Sequence, residues 1–75
     1  MEDVLIVTFE NVTDAIAMEE AVEAKGLHGK LMPLPDDLSA GCGYAWKHDL
    51  REETDLRRLM KEKQLDFVEI LHRKE

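Results

Sequence analysis

The chain begins with a continuous apolar run, which is typical of a buried strand, and continues with apolar residues at the 3.6-residue period of a helix. Residues 4–9 (VLIVTF) are mostly β-branched and apolar on both faces, which predicts a central strand covered on both sides. Residues 13–25 predict a helix, which Asn11 or Thr13 can cap and which Gly26 stops. Its apolar stripe consists of Ala15, Met18, Ala21 and Val22.

The second half of the chain repeats this alternation. Further strands are predicted at residues 27–34, 44–48 and 67–72. Residues 36–43 are rich in turn-forming residues and predict a loop. Asp49 and Glu52 resemble a capping box at the start of a second helix. The buried stripe of that helix consists of Leu56, Leu59 and Met60.

The resulting element order, β-α-β-β-α-β, predicts a single domain of residues 1–75. Two interleaved right-handed β-α-β halves give an α+β ferredoxin-like sandwich, with a four-stranded antiparallel sheet and both helices on one face. A sheet with one bare face should alternate apolar and polar residues, but residues 4–9 do not. A homodimer covering the open face would resolve this conflict, so we expect one.

Composition narrows the classes of partner. The 17 acidic and 10 basic residues give a net charge of −7, which argues against nucleic acid and against anionic membranes. The apolar run at residues 4–7 is too short to span a bilayer, and acidic Glu2 and Asp3 do not fit a signal peptide. A single cysteine cannot form an internal disulfide, so we expect a cytoplasmic protein.

That cysteine, Cys42, is the clearest candidate for chemistry. It lies in the predicted loop between Gly41 and Gly43, where the backbone can adopt unusual angles and a partner can approach closely. Ser39 and Tyr44 are the nearby polar residues that could contribute to a binding site. The sequence leaves two interpretations open, a reactive carrier thiol or a buried cysteine that acts as a small hydrophobic residue.

Other candidate groups give weaker indications. We expect each histidine to lie on the surface or at a strand end. The extended span from Cys42 to His48 predicts no direct pairing unless the chain bends sharply. The chain has no C-x-x-C and no second cysteine, so neither a metal site nor a cofactor is predicted. Tyr44 and Trp46 share one side of a strand, where they could bind a ligand, seal an interface or fill the core.

Several short motifs occur together in one order along residues 4–70. They are Thr13-Asp14-Ala15, Lys25-Gly26, Leu31-Met32-Pro33-Leu34-Pro35 and Ser39-x-x-Cys42-Gly43-Tyr44-Ala45. In this the chain resembles the short bacterial proteins of the putative Se/S carrier protein-like family. The most specific part is Pro33-x-Pro35 followed, after a polar loop, by Ser-x-x-Cys-Gly. Family members often have more serines where this chain has Ala40 and Gly41.

The resemblance implies that Cys42 holds sulfur or selenium as a persulfide or selenopersulfide. It also implies a cysteine desulfurase-type donor and an acceptor protein, and a carrier rather than a complete enzyme. The residues themselves leave a second class open, a non-catalytic module that binds a protein or a small ligand and has a structural cysteine.

Overall fold

A computed structural model describes residues 2–75 of the chain. Its elements are β1 (Asp3–Thr8), α1 (Val12–Lys25), β2 (Gly29–Pro33), β3 (Tyr44–Asp49), a 3₁₀ turn (Leu50–Glu52), α2 (Glu53–Glu62) and β4 (Ile70–Lys74). The strands form one antiparallel sheet in the order β2-β3-β1-β4. The predicted α+β class, the element order and the four-stranded antiparallel sheet are therefore confirmed.

Both helices pack on one face of the sheet. On that face Leu5 and Val7 of β1 lie opposite His48 and Trp46 of β3. The buried helical residues that contact this face are Ala15, Met18, Val22, Leu56, Leu59 and Met60. The predicted apolar stripes of both helices are confirmed, because they contribute most of the core and Ala21 packs at its margin.

The first part of the loop between β2 and β3 (residues 34–43) lies on the other face. There the side chains of Val4, Ile6 and Ala45 form a second buried cluster, against which Leu34 and Leu38 of the loop pack. This loop explains within one chain why β1 is apolar on both faces. A homodimer is not needed to cover β1, and it stays a prediction.

An ion pair connects the same loop to the edge strand β4. Arg73 Nη1 lies 2.9 Å from Asp37 Oδ2. The arginine comes from β4, and the aspartate comes from the turn in which Leu38 N–H donates to Pro35 O. The ion pair therefore fixes the loop at Asp37, while burial fixes it at Leu34 and Leu38.

Several element ends differ from the predictions. Asn11 occupies the N-cap of α1, but its side chain makes no capping hydrogen bond. The capping box is half wrong: the Asp49 carboxylate accepts from Arg51 N–H at 2.9 Å, but Glu52 bonds to His28 instead of closing the box. The second strand is shorter than predicted, since it spans Gly29–Pro33.

The last strand begins at Ile70 rather than at residue 67. Thr8 O accepts from Val68 N–H at 2.8 Å, and Thr8 Oγ1 accepts from Glu69 N–H at 3.2 Å. A side-chain hydroxyl therefore replaces a backbone acceptor, and regular pairing starts at Ile70 opposite Val7. Among residues 2–75, no helix is long and apolar enough to cross a membrane.

Candidate functional site

Cys42 lies at the end of the sheet where β1 stops and β3 starts. Its backbone N–H donates to Phe9 O at 3.4 Å, which holds the loop beside the end of β1. Its Sγ accepts from Tyr44 N–H at 3.3 Å, and the thiol donates to Tyr44 O at 3.4 Å. The side chain is half-buried and packs at the margin of the helix-side core.

The structural reason for a glycine differs between the two positions beside Cys42. A Cβ on Gly41 would lie 2.5 Å from the carbonyl oxygen of Glu10, so the loop passes too close to β1 for a side chain. Gly43 has φ +76°, the left-handed region that favours glycine, and open space surrounds the position of its missing Cβ. One glycine therefore allows close approach, and the other allows the turn into β3.

The remaining predicted site residues flank the thiol without side-chain bonds to it. Ser39 is exposed, and within residues 2–75 no hydrogen bond joins it to Cys42. Tyr44 contributes only backbone groups to Sγ, and the residue is 43% exposed. The structure therefore brings Gly41, Gly43 and Tyr44 to Cys42 through the backbone.

Phe9 and Glu10 complete this region, although no pattern in the sequence indicates their role. Both lie more than thirty residues from Cys42, yet they supply the carbonyl oxygens that contact residues 41 and 42 of the loop. Only the return of the chain to the end of β1 brings them together.

A second polar cluster lies at the opposite end of β3. The surface prediction is wrong for His48, which is 1% exposed, and the reason is that its ring faces the helices beside Trp46. Trp46 Nε1–H donates to His48 Nδ1 at 2.9 Å. The neutral ring therefore carries its proton on Nε2, which lies 2.9 Å from Glu52 Oε1. This contact does not have the geometry of a hydrogen bond, and it becomes an ion pair only when the ring is protonated.

Glu52 also bonds to exposed His28. Its Oε1 accepts from His28 N–H, and its Oε2 lies 2.7 Å from His28 Nδ1. The hydrogen bond with Glu52 raises the pKa of His28, and the His28 backbone N–H lowers the pKa of Glu52. Burial lowers the pKa of His48 and outweighs the neighbouring carboxylate.

The chemistry available at the two ends is therefore different. At one end a thiol sits in a loop held by backbone bonds, and at the other a carboxylate joins two histidines. His48 and Cys42 lie at opposite ends of the same strand, as the spacing predicted. Within residues 2–75, no three His, Cys, Asp or Glu side chains are arranged to hold a metal ion.

Comparison with protein-family models places the chain in a family. Residues 4–72 match the model described as "Putative Se/S carrier protein-like", so the chain belongs to that family over nearly its whole length. This confirms the resemblance seen in the motifs around Cys42. No curated protein and no solved structure matches the chain.

Proposed function

We propose that this protein carries sulfur or selenium as a persulfide or selenopersulfide on Cys42 and transfers it to a partner. The observation that carries the proposal is the family match over residues 4–72, which includes the only cysteine of the chain. Carriage on a protein needs a group that forms a reversible bond to sulfur, and a thiol is such a group.

The loop geometry supports this proposal. Transfer requires a donor to approach along the S–S axis, and the residues on either side of Cys42 have no side chains. Tyr44 N–H donates to Sγ, so one backbone donor is in place for a thiolate. Gly41 and Gly43 cannot block the approach to Sγ.

The reaction balances without an added oxidant. The Cys42 thiolate attacks the outer sulfur of a donor persulfide, R–S–SH, and forms the Cys42 persulfide. The S–S bond of the donor breaks, and the donor thiolate R–S⁻ leaves with the electron pair. A selenopersulfide donor, R–S–SeH, reacts in the same way. Because the chain has a single cysteine, no internal thiol can displace the cargo by forming a disulfide.

We also propose the ferredoxin-like fold family, cytoplasmic localisation and no binding to nucleic acid. The strand order β2-β3-β1-β4 with both helices on one face is the arrangement that interleaved β-α-β halves produce. The net charge of −7 disfavours phosphate backbones, and a single free thiol persists in a reducing compartment.

A non-catalytic binding module is the second candidate. The observation in its favour is that Cys42 packs against the core and donates its thiol hydrogen to Tyr44 O, as a structural cysteine can. In such a module Cys42→Ser should preserve partner binding and function. In a carrier it should abolish function while the fold persists.

The experiment is to incubate the protein with a cysteine desulfurase and cysteine and then measure its intact mass. We expect a gain of about 32 Da, one sulfur atom, that a reductant reverses and that Cys42→Ser lacks. Tyr44→Phe is a suitable control because only the Tyr44 backbone contacts Sγ, so it should still gain the mass.

Alkylation of the folded protein distinguishes the two candidates further. A carrier thiol must react with iodoacetamide without denaturant. Modification of Cys42 only after unfolding would show that the thiol is inaccessible and would contradict the carrier proposal.

A further inference from the structure

The exposed large apolar side chains are concentrated at the Cys42 end of the sheet. In residues 2–75 they are Val12, Ile16, Tyr44, Phe67 and Val68, each between 43% and 46% exposed. A monomer rarely leaves a contiguous apolar region exposed without a binding partner. Their location therefore requires an explanation beyond the fold.

Backbone bonds bring the segments that carry these side chains to one place. Thr8 and Phe9 are consecutive residues at the end of β1, and Thr8 O bonds Val68 N–H while Phe9 O bonds Cys42 N–H. Tyr44 contacts Cys42 Sγ through its backbone. Val12 and Ile16 lie in the first turns of α1, which follow directly from this end of β1.

The same region is strongly acidic. Residues 9–16, 34–44 and 66–70 contain no Lys, Arg or His. Their carboxylates are Glu10, Asp14, Asp36, Asp37, Asp66 and Glu69. The basic residues nearest to the third segment along the chain are His72, Lys63 and Arg73. Arg73 pairs with Asp37, which leaves the other five carboxylates in excess over the bases within these segments.

We propose that this apolar, acid-rimmed end is the docking surface for a persulfide-bearing donor protein whose own surface is apolar at its centre and basic at its rim. The inference rests on the proposed function and names the partner of the same cysteine. Interfaces commonly combine an apolar centre with a polar rim, and complementary charge accelerates encounter. Nucleic acid and acidic proteins are repelled by the same carboxylates.

The test compares two sulfur donors on the same protein. A cysteine desulfurase from the same organism, supplied with cysteine, must dock. Glutathione persulfide is small, and it transfers its outer sulfur by the same balanced exchange without a protein interface. Loading of Cys42 is followed by intact mass in both cases.

Two variants change the surface without touching Cys42. Ile16→Ser with Val68→Ser removes apolar area, and Ala24→Ser on the exposed remainder of α1 is its control. The triple variant Asp36→Asn, Asp66→Asn, Glu69→Gln raises the net charge from −7 to −4. Its matched control is Glu2→Gln, Glu23→Gln, Asp55→Asn, which makes the same charge change at the histidine end.

We expect each surface variant to slow loading by the desulfurase on the order of tenfold, while both controls stay near wild type. Loading by glutathione persulfide should change little in any variant. Higher salt should slow the desulfurase reaction of the wild type.

The outcomes separate the two proposals. No loading by either donor would overturn the carrier proposal itself. Two results would overturn the docking surface and leave the carrier proposal intact. In the first, the desulfurase loads Cys42 no faster than glutathione persulfide does. In the second, the desulfurase loads the surface variants and the control variants at equal rates. Thermal unfolding of every variant shows whether a slow rate reflects lost structure.

Discussion

The two ends of β3 differ in how their polar groups are fixed. At the histidine end, the side chains of Trp46, His48, Glu52 and His28 contact each other in a chain, and Gly29 passes directly over the indole and imidazole. At the Cys42 end, backbone groups make the contacts, and apolar side chains remain exposed.

This difference indicates a division of roles. The buried hydrogen bond between Trp46 and His48 fixes one arrangement because a buried unpaired group costs free energy, so the histidine end contributes to a unique fold. A loop held by a few backbone bonds can open locally and can accept a partner. We therefore expect changes at the histidine end to affect stability and changes at the Cys42 end to affect reactivity.

A matched pair of glycine substitutions gives the largest expected effect. In Gly29→Ala the new Cβ would lie 2.5 Å from both His48 Nδ1 and Trp46 Nε1, so the buried pair must move. We expect the free energy of unfolding, measured with urea, to fall by about 1–3 kcal/mol. The alkylation rate of Cys42 in the folded state should stay near that of the wild type.

Gly41→Ala introduces an equally close contact at the other end, with the carbonyl oxygen of Glu10. Because the loop can move away from β1, the loss in unfolding free energy should be smaller, on the order of 1 kcal/mol. The alkylation rate of Cys42 should change severalfold. Equal effects of the two substitutions on both measurements would remove the distinction between the ends.

Removing the charge of Glu52 should change how stability depends on pH. The folded-state pKa of His28 is raised, so its contribution is present below pH 6.5 and is lost as the pH rises through that raised pKa. The folded-state pKa of His48 is lowered, so stability falls as the pH drops below 6.5 toward that pKa. Glu52 favours the protonated form of both rings.

Glu52→Gln should therefore lose stability relative to the wild type as the pH is lowered from 8 to 6, within the window about the ordinary histidine pKa of roughly 6.5. Urea unfolding at each pH measures this difference. Glu53→Gln is the control, because its carboxylate pairs with Arg57 and not with a histidine. Parallel pH profiles for Glu52→Gln and the wild type would mean that Glu52 is not coupled to the histidines.

The smallest effect is expected for the ion pair that fixes the loop. Asp37→Asn weakens the contact with Arg73. Because the Asp37 side chain is largely exposed to solvent, the loss in unfolding free energy should be the smallest of these changes. Backbone amides of the loop should exchange faster in deuterium oxide, while those of β1 should not. Slower or unchanged exchange in the loop would show that burial of Leu34 and Leu38 alone holds it.

Local patterns in the sequence determined the elements of this protein. The stripes at Met18 and Leu59, the stop at Gly26 and the doubly apolar run of β1 are written in consecutive residues, because helical and strand periods act over short spans. The same patterns indicated the element order and singled out Cys42.

Tertiary structure decided what surrounds those elements. It packed Leu34 and Leu38 over the second face of the sheet, buried His48 beside Trp46 and set Cys42 against the end of β1. These contacts join residues far apart in the chain, such as Phe9 with Cys42 and His28 with Glu52. The free energy of these contacts depends on packing and desolvation in the whole domain, which a pattern of neighbouring residues does not specify.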